Sequence, residues 1–243
     1  MSIYEIEPAR EEKKVLTFFN SSDIRLIVFD LHGTLTTRTS IHPYHIEYRN
    51  QYLEKILGYS LPEHFSVGTD EAFGLFPALN KYDFYKHRDN DPLFEFERIH
   101  APNQQLVEKL MAISKHFYTV LYTDSYLKQI ERTLSAIGIC NIFDSIIGME
   151  NGHRKVSSQF TIYPDLCSGL SIKIENVLIV GDRMDKDINP VLQAGGNAIK
   201  IESSAFIMEA LEIINKTFAS KELICIKTQF SRNRVDQSPS LSI

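Results

Sequence analysis

The segment from Ile24 to Thr36, which reads IRLIVFDLHGTLT, constrains the fold of this chain more than any other. Its apolar run, Leu26 to Phe29, is unbroken, as in strands that are buried on both faces of a parallel sheet. The run ends at Asp30, and Gly33 then allows a sharp turn away from the sheet. Open α/β sheets bind ligands at the carboxyl ends of their strands. The segment therefore predicts that Asp30 lies in a ligand-binding cleft.

The length and composition fit one α/β domain with an insertion. The chain has 243 residues, of which 43% are hydrophobic, enough for a substantial core. A net charge of −5 argues against a nucleic-acid partner bound by general phosphate attraction. No apolar run approaches the roughly 18 residues that span a bilayer, and the N-terminus lacks a signal-peptide pattern. We therefore expect a cytoplasmic protein without a membrane partner.

Cys140, Cys167 and Cys225 lie far apart in the chain and show no metal-ligand spacing. Each lies in or beside an apolar segment, which predicts buried free thiols in a reducing compartment.

The hydrophobic periodicity divides the chain into a core and an insert. Residues 23–39 and 102–220 alternate between strands and helices, the pattern of a doubly wound parallel sheet. Residues 40–101 carry helical patterns instead, with tyrosines 44, 48 and 52 at every fourth position. They predict an all-helical insert above the end of the first strand, in which the tyrosine stripe is a packing surface.

The remaining segments predict accessory structure. Residues 1–22 form an N-terminal accessory segment with a short helix over 7–20, and residues 88–92 form a charged loop. Residues 221–243 form a C-terminal extension, with a possible edge strand at 223–227 and a disordered tail.

Three predicted strands end in polar residues, namely Asp30, Thr123 and Asp182. The basic pair Arg154-Lys155 lies between the last two. A parallel sheet brings such strand ends to one edge. One cleft would then hold a carboxylate, a hydroxyl, a cation and a second group of carboxylates.

These residues resemble the four motifs of the haloacid dehalogenase-like (HAD) hydrolase superfamily. Asp30-Leu31-His32-Gly33-Thr34 is similar to the first motif, Thr123 to the second and Lys155 to the third. Gly181 to Asp187 is similar to the fourth, in which Gly-Asp is followed by Asp five positions later. The resemblance covers residues 24–202, and the helical insert falls where the family places its helical cap. The first and fourth motifs are specific when they occur together, whereas the second and third are weak alone.

The resemblance implies a Mg²⁺-dependent hydrolase of a small phosphomonoester, with Asp30 as the nucleophile that forms an aspartyl-phosphate. Asp30, the backbone carbonyl of His32, and Asp182 would bind the metal. Asp187 would support the metal shell or orient Lys155.

The resemblance also implies which residues bind the phosphate. Thr123, Asp124 and Lys155 would form the phosphate-binding site. Thr123 would donate to a phosphoryl oxygen, and Lys155 would pair with the phosphate and keep Asp30 ionised. Arg154 and Lys173 are alternative cations for the role of Lys155. The implied partner is a small phosphorylated metabolite, and neither its identity nor an oligomeric state follows from the sequence.

His32 departs from the family pattern, because phosphatases of this type usually carry a second Asp at that position. In those phosphatases the second Asp protonates the leaving alkoxide and then activates water. Imidazole can do both at neutral pH, so His32 can be a replacement acid/base. Alternatively, the site catalyses another reaction of the superfamily, such as phosphonate or carbon–halogen cleavage. The metal-type acids Asp182 and Asp187 disfavour the carbon–halogen branch, because dehalogenation needs no Mg²⁺. A third reading is a weakly active or inactive relative that binds a phosphorylated ligand or a protein.

Overall fold

A computed structural model describes residues 14–21, 23–149, 155 and 162–218, and within them the chain forms one six-stranded sheet. In chain order the strands are β1 (Val15–Phe18), β2 (Leu26–Phe29), β3 (Tyr118–Tyr122), β4 (Ser145–Ile147), β5 (Val177–Gly181) and β6 (Asn197–Ile201). Their order across the sheet is β1-β6-β5-β2-β3-β4, and all neighbours are parallel except β1 and β6. The α/β fold class is confirmed, with β2 in the interior of the sheet.

Eight α-helices occur in the described ranges: α1 (Pro43–Leu57), α2 (Thr69–Leu75), α3 (Lys81–Asn90), α4 (Gln104–Ser114), α5 (Leu127–Ile137), α6 (Ile162–Leu170), α7 (Asn189–Gln193) and α8 (Ile207–Phe218). All four side chains of β2 are buried and alternate between two apolar clusters. One cluster includes α4, α5 and α8, and the other includes α6 and α7. Burial on both faces explains the unbroken apolar sequence of β2. None of these helices is long and apolar enough to cross a membrane.

The segment between β2 and β3 is helical, with α1, α2 and α3 around a small apolar core of its own. That core contains Leu53, Leu61, Ala72, Phe73 and Phe84. The tyrosine stripe packs inside the insert, since the ring centroid of Tyr48 lies 4.8 Å from that of Phe94. Phe94 in turn packs against Ala136 of α5, so the insert is anchored on a core helix.

The N-terminal helix predicted over residues 7–20 is wrong where the structure describes it. Val15–Phe18 is instead β1, which pairs antiparallel with β6 at the edge of the sheet. The apolar spacing of so short a segment fits a helix and a strand equally well. The segment forms a strand because it can pair with the edge of β6 that would otherwise be unpaired. Residues 1–13, and the extension at 219–243 with its predicted edge strand and tail, lie outside the described residues.

The charged loop predicted at residues 88–92 is also wrong at its start, because α3 continues to Asn90. Arg88 and Asp89 are buried, and Arg88 Nη2 lies 2.5 Å from Asp89 Oδ1. Arg88 Nη1 also donates to His45 Nε2 at 3.0 Å. Charged residues at the end of a helical pattern suggest solvent, but here they are partners of each other.

The prediction of buried free thiols is corrected in part. Cys167 is buried as expected, but Cys140 is exposed, because it follows the end of α5 in a surface turn; Cys225 lies outside the described residues. In the described residues α6 begins at Ile162 and runs to Leu170. Pro164 lies in its first turn, where proline is tolerated.

We expect the insert to lose stability in mild acid through His45. Burial, and then the charge of Arg88, holds the pKa of His45 well below its usual value of 6.5. Its contribution is therefore complete above pH 6.5 and is lost as the pH falls below it, by up to about 1.4 kcal/mol per pH unit. Between pH 7.5 and 5.0, chemical unfolding should show that the wild type loses about 2 kcal/mol more than a His45→Gln variant.

His64→Gln is the matched control, because His64 lies in the same insert with its side chain 89% exposed. It should follow the wild type at every pH. Equal acid sensitivity of the wild type and the His45→Gln variant would show that His45 is not kept neutral in the fold.

Candidate active site at the carboxyl edge of the sheet

Three buried carboxylates meet where β2 and β5 end. Asp30 follows β2, Asp182 follows β5, and Asp187 lies in a single π-type turn formed by Met184–Ile188. One carboxylate oxygen of each lies within 4.8 Å of those of the other two. The parallel pairing of β2 with β5 places their carboxyl ends side by side and so produces this cluster.

Lys155 lies between two of these carboxylates. Its Nζ contacts Asp30 Oδ1 and lies 2.7 Å from Asp187 Oδ1, and all three side chains are buried. Burial alone would lower the pKa of Lys155, but Asp187 and Asp30 together hold this pKa above its ordinary value. Burial raises the pKa of Asp30, an effect that Lys155 opposes. The site thus keeps a charged ammonium against the carboxylate predicted to be the nucleophile.

Of the two alternative cations, Lys173 is not part of this contact. Lys173 precedes β5 at the opposite edge of the sheet, where it pairs with Glu175 and has a side chain 79% exposed. Arg154 lies outside the described residues.

Two glycines let the chain approach these carboxylates closely. Gly33 has a φ of +94°, and a Cβ there would lie 2.2 Å from Asp182 Oδ2. A Cβ at Gly181 would lie 2.5 Å from the Cβ of Asp187 and 2.7 Å from its Cγ. Neither position has room for a side chain without displacing an acid of the cluster.

We expect Gly181→Ala to destabilise the protein by about 1–3 kcal/mol, because the added methyl must displace Asp187 from Lys155. The control variant Gly169→Ala should instead be stabilised. Gly169 lies in α6 with no atom within 4 Å of its added Cβ, and alanine is the better helix former by up to about 1 kcal/mol. Urea unfolding of both variants measures the difference; a neutral Gly181→Ala substitution would contradict the packing described for Asp187.

Arg38 is a site residue that the motifs did not identify. Its Nη2 and Nε lie 2.5 Å and 3.0 Å from Asp182 Oδ2, and its side chain is 48% exposed, compared with 2% for Asp182. It lies in the polar segment after the first motif, where an isolated arginine carries no sequence signal. Thr34 was part of the motif without an assigned role, and its hydroxyl donates to Asp30 Oδ2 at 3.0 Å.

Thr123 and Asp124 follow β3 and take different positions. The Thr123 hydroxyl is buried, lies 3.4 Å from Ser125 Oγ and lines the cleft with Asp30. Asp124 instead accepts from the backbone N–H of Lys155 at 2.8 Å and from Lys186 Nζ at 3.2 Å. With one oxygen given to each of these donors, Asp124 holds the backbone of Lys155 in place.

His32 is half-buried, with a contact at each ring nitrogen. The amide nitrogen of Gln129 lies 2.9 Å from His32 Nε2, and Thr36 Oγ1 lies 3.2 Å from Nδ1. Since an amide nitrogen can only donate, Nε2 accepts and Nδ1 carries the proton. Burial, followed by the nearby His100 and Arg88, lowers the pKa of His32 to about 3. The imidazole is therefore neutral at physiological pH.

The cluster opens into a cleft of about 510 Å³ that both the core and the insert line. Core residues supply the carboxylates, Thr123 and Lys155, and the insert supplies Lys81, Tyr82, Tyr85 and Arg88. The insert therefore lines the cleft beside the strand ends. Tyr44 and Tyr48 of the tyrosine stripe do not line this cleft.

Comparison with known proteins supports the fold. No protein-family model matches the sequence, and no curated protein matches it significantly. A haloacid dehalogenase-like family hydrolase from Streptococcus pneumoniae matches the structure with a TM-score of 0.51 and 18% identity, over 78% of this chain and 91% of that one. A HAD-superfamily hydrolase of subfamily IA from Geobacter sulfurreducens matches with a TM-score of 0.51 and 10% identity, over 81% of this chain and 100% of that one. The chain has the fold of the haloacid dehalogenase-like hydrolases, as the motifs led us to expect.

Proposed function

We propose that the protein is a Mg²⁺-dependent hydrolase of a small phosphomonoester, which acts through an aspartyl-phosphate on Asp30. The observation that carries this proposal is the buried contact of Lys155 with Asp30 and Asp187, beside Asp182, at the base of an open cleft. A carboxylate attacks phosphorus only where the repulsion between two anions is cancelled. An ammonium on one side and a metal-binding pair of acids on the other meet that need.

The donor set fits a hard divalent cation. Asp30, Asp182 and Asp187 offer carboxylate oxygens, the ligands that Mg²⁺ prefers. The backbone carbonyl of His32 would be a further oxygen ligand, as the resemblance implies. When ionised, the three acids carry three negative charges, and only Lys155 and Arg38 contact them as cations in the described residues. When bound, Mg²⁺ would neutralise charge and polarise the phosphoryl oxygens.

In this proposal Asp30 uses one carboxylate oxygen to attack phosphorus, and the phosphorus–oxygen bond of the ester breaks. Thr34, whose hydroxyl donates to Asp30, orients that carboxylate. Lys155 keeps Asp30 ionised and pairs with the transferred group, and Thr123 donates to a phosphoryl oxygen. Water then attacks the phosphorus of the aspartyl-phosphate, which releases phosphate and restores Asp30.

His32 occupies the acid/base position of this scheme. In the observed arrangement the imidazole is neutral and both ring nitrogens are engaged, so it has no proton to give the leaving alkoxide, which takes its proton from solvent. Once Gln129 releases Nε2, that nitrogen can accept a proton from the attacking water. A general acid/base contributes typically 10²–10⁴-fold in rate, so an engaged imidazole slows the reaction without abolishing it.

The engagement of both ring nitrogens of His32 favours a second candidate function. This is a site that binds a phosphorylated ligand and turns it over very slowly. The two candidates differ in the behaviour of Asp30→Asn. A binding site retains ligand binding in this variant and shows no Asp30-dependent turnover in the wild type.

The proposed partner is a small phosphorylated metabolite. A cleft of about 510 Å³ is within the size range of small-molecule sites. The tyrosines and cations that the insert places around it suit a polar or charged group beyond the phosphate. We propose that the insert selects the substrate.

The experiment that tests the function is hydrolysis of p-nitrophenyl phosphate with Mg²⁺ and with excess EDTA. We expect turnover with Mg²⁺ that disappears in EDTA and returns when Mg²⁺ is added in excess. A rate in Mg²⁺ no higher than that of Asp30→Asn under the same conditions would contradict the proposal.

A further inference from the structure

Arg38 differs from the other cations that line the cleft. These are Lys81, Arg88, Lys155, Arg183 and Lys186, and each pairs with a carboxylate other than Asp182: Asp70, Asp89, Asp30 with Asp187, Asp185 and Asp124 respectively. Arg38 alone among these described residues pairs with Asp182.

The pairing of Arg38 with Asp182 uses only one of the two carboxylate oxygens. Both contacting nitrogens, Nε and Nη2, approach the single oxygen Oδ2, so the guanidinium does not form the two parallel bonds that an arginine makes with a carboxylate at its strongest. The same carboxylate belongs to the group of three acids that fits a divalent cation. A cation bound to Asp182 therefore competes with Arg38 for it.

The position of Arg38 shows where its side chain can go. The guanidinium lines the cleft, and nearly half of the side chain is exposed. Asp182, by contrast, is held at the end of β5 and is almost fully buried. When a cation takes Asp182, the arginine moves and the carboxylate stays. A released guanidinium beside the cluster is a planar donor suited to the oxygens of a phosphate or a carboxylate.

We infer that Arg38 is an anion-binding residue that Asp182 holds until a divalent cation displaces it, after which it binds anionic oxygens of the substrate. These oxygens belong either to the transferred phosphate or to a second acidic group of the substrate. The anion-binding half of this inference rests on the proposed function. The exchange of Arg38 for the cation needs only the metal.

Isothermal titration with Mg²⁺ alone tests the exchange without turnover. Arg38→Met should bind Mg²⁺ about tenfold more tightly than the wild type, because the competing cation is gone. Arg25→Met is the matched control, since Arg25 pairs with Asp23 away from the cleft and has a side chain 44% exposed; it should leave the affinity unchanged. Equal or weaker Mg²⁺ binding by Arg38→Met, with a normal thermal melt, would overturn the exchange. Absence of Mg²⁺ binding in the wild type would overturn both this inference and the proposed metal site.

A second titration, of the Mg²⁺-loaded proteins, tests anion binding. Inorganic phosphate should bind Arg38→Met about tenfold more weakly than the wild type if Arg38 contacts the phosphate itself. If Arg38 instead binds a second acidic group of the substrate, inorganic phosphate should bind both proteins equally. A phosphorylated carboxylic acid such as phosphoglycolate should then bind the variant more weakly than the wild type. Equal binding of both probes by both proteins would overturn the anion-binding half and leave the proposed function standing.

Discussion

Asp30→Asn should abolish Mg²⁺-dependent hydrolysis of an aryl phosphate, with a loss of at least about 10³-fold, because an amide oxygen cannot replace a carboxylate as the nucleophile. The fold should remain. Burial raises the pKa of Asp30, so the ionised form of this side chain does not stabilise the fold. In the variant Lys155 also keeps Asp187 as a partner. The measurements are steady-state turnover and a thermal melt of the same preparation.

Asp185→Asn is the control for that experiment. Asp185 lies in the same turn as Asp187, but its side chain is 64% exposed and pairs with Arg183. Its replacement should leave turnover within a few-fold of the wild type. If Asp30→Asn retains turnover comparable to that of Asp185→Asn, then Asp30 is not the nucleophile.

The second large effect is expected from Lys155→Met, which removes the ammonium between Asp30 and Asp187 and leaves two buried carboxylates facing each other. Removing one partner of a buried ion pair typically costs 3–5 kcal/mol. For a chain of this size that corresponds to a fall of about 10 °C in melting temperature. Turnover should be lost as well, since Asp30 can no longer stay ionised beside the substrate phosphate.

The pH dependence of this variant gives a second readout. Without Lys155 the pKa values of Asp30 and Asp187 rise further, and a group whose folded pKa is raised stabilises the fold as the pH falls through that value. The stability difference from the wild type should therefore be largest at neutral pH and smaller in acid. The measurement is made in EDTA, so that no metal compensates.

Lys173→Met is the control for Lys155→Met, because Lys173 is exposed at the opposite edge of the sheet. Its effect on stability should stay within about 0.5 kcal/mol. Loss of stability equal to that of Lys155→Met would show that the effect is not specific to the buried contact.

The residues at the ends of β2, β3 and β5 could be predicted from the sequence for a clear physical reason. An unbroken apolar run indicates a strand buried on both faces, and parallel pairing then fixes where its last residue lies. Asp30, Thr123 and Asp182 follow from that rule, and Lys155 follows from its order between the motifs. The roles of these residues in a reaction stay predictions, which the experiments above test.

The residues that the sequence did not reveal depend on contacts between distant segments. Arg38 and Gln129 stand in segments whose local pattern suggests solvent or helix packing, and only the folded chain brings them to Asp182 and His32. Arg88 was misplaced for the same reason, since its burial depends on Asp89 and on His45 in another helix. The edge strand β1 was missed because four residues are too few to establish a period.

The most direct test of the central claim is to trap the phosphorylated enzyme. Wild-type protein turning over p-nitrophenyl phosphate in Mg²⁺ is quenched in acid and treated with borohydride, which reduces an acyl phosphate to an alcohol. The peptide that contains residue 30 is then analysed by mass spectrometry. We expect Asp30 to be converted to homoserine, only when both substrate and Mg²⁺ are present. Modification of a different residue, or turnover with no modification of Asp30, would contradict the account.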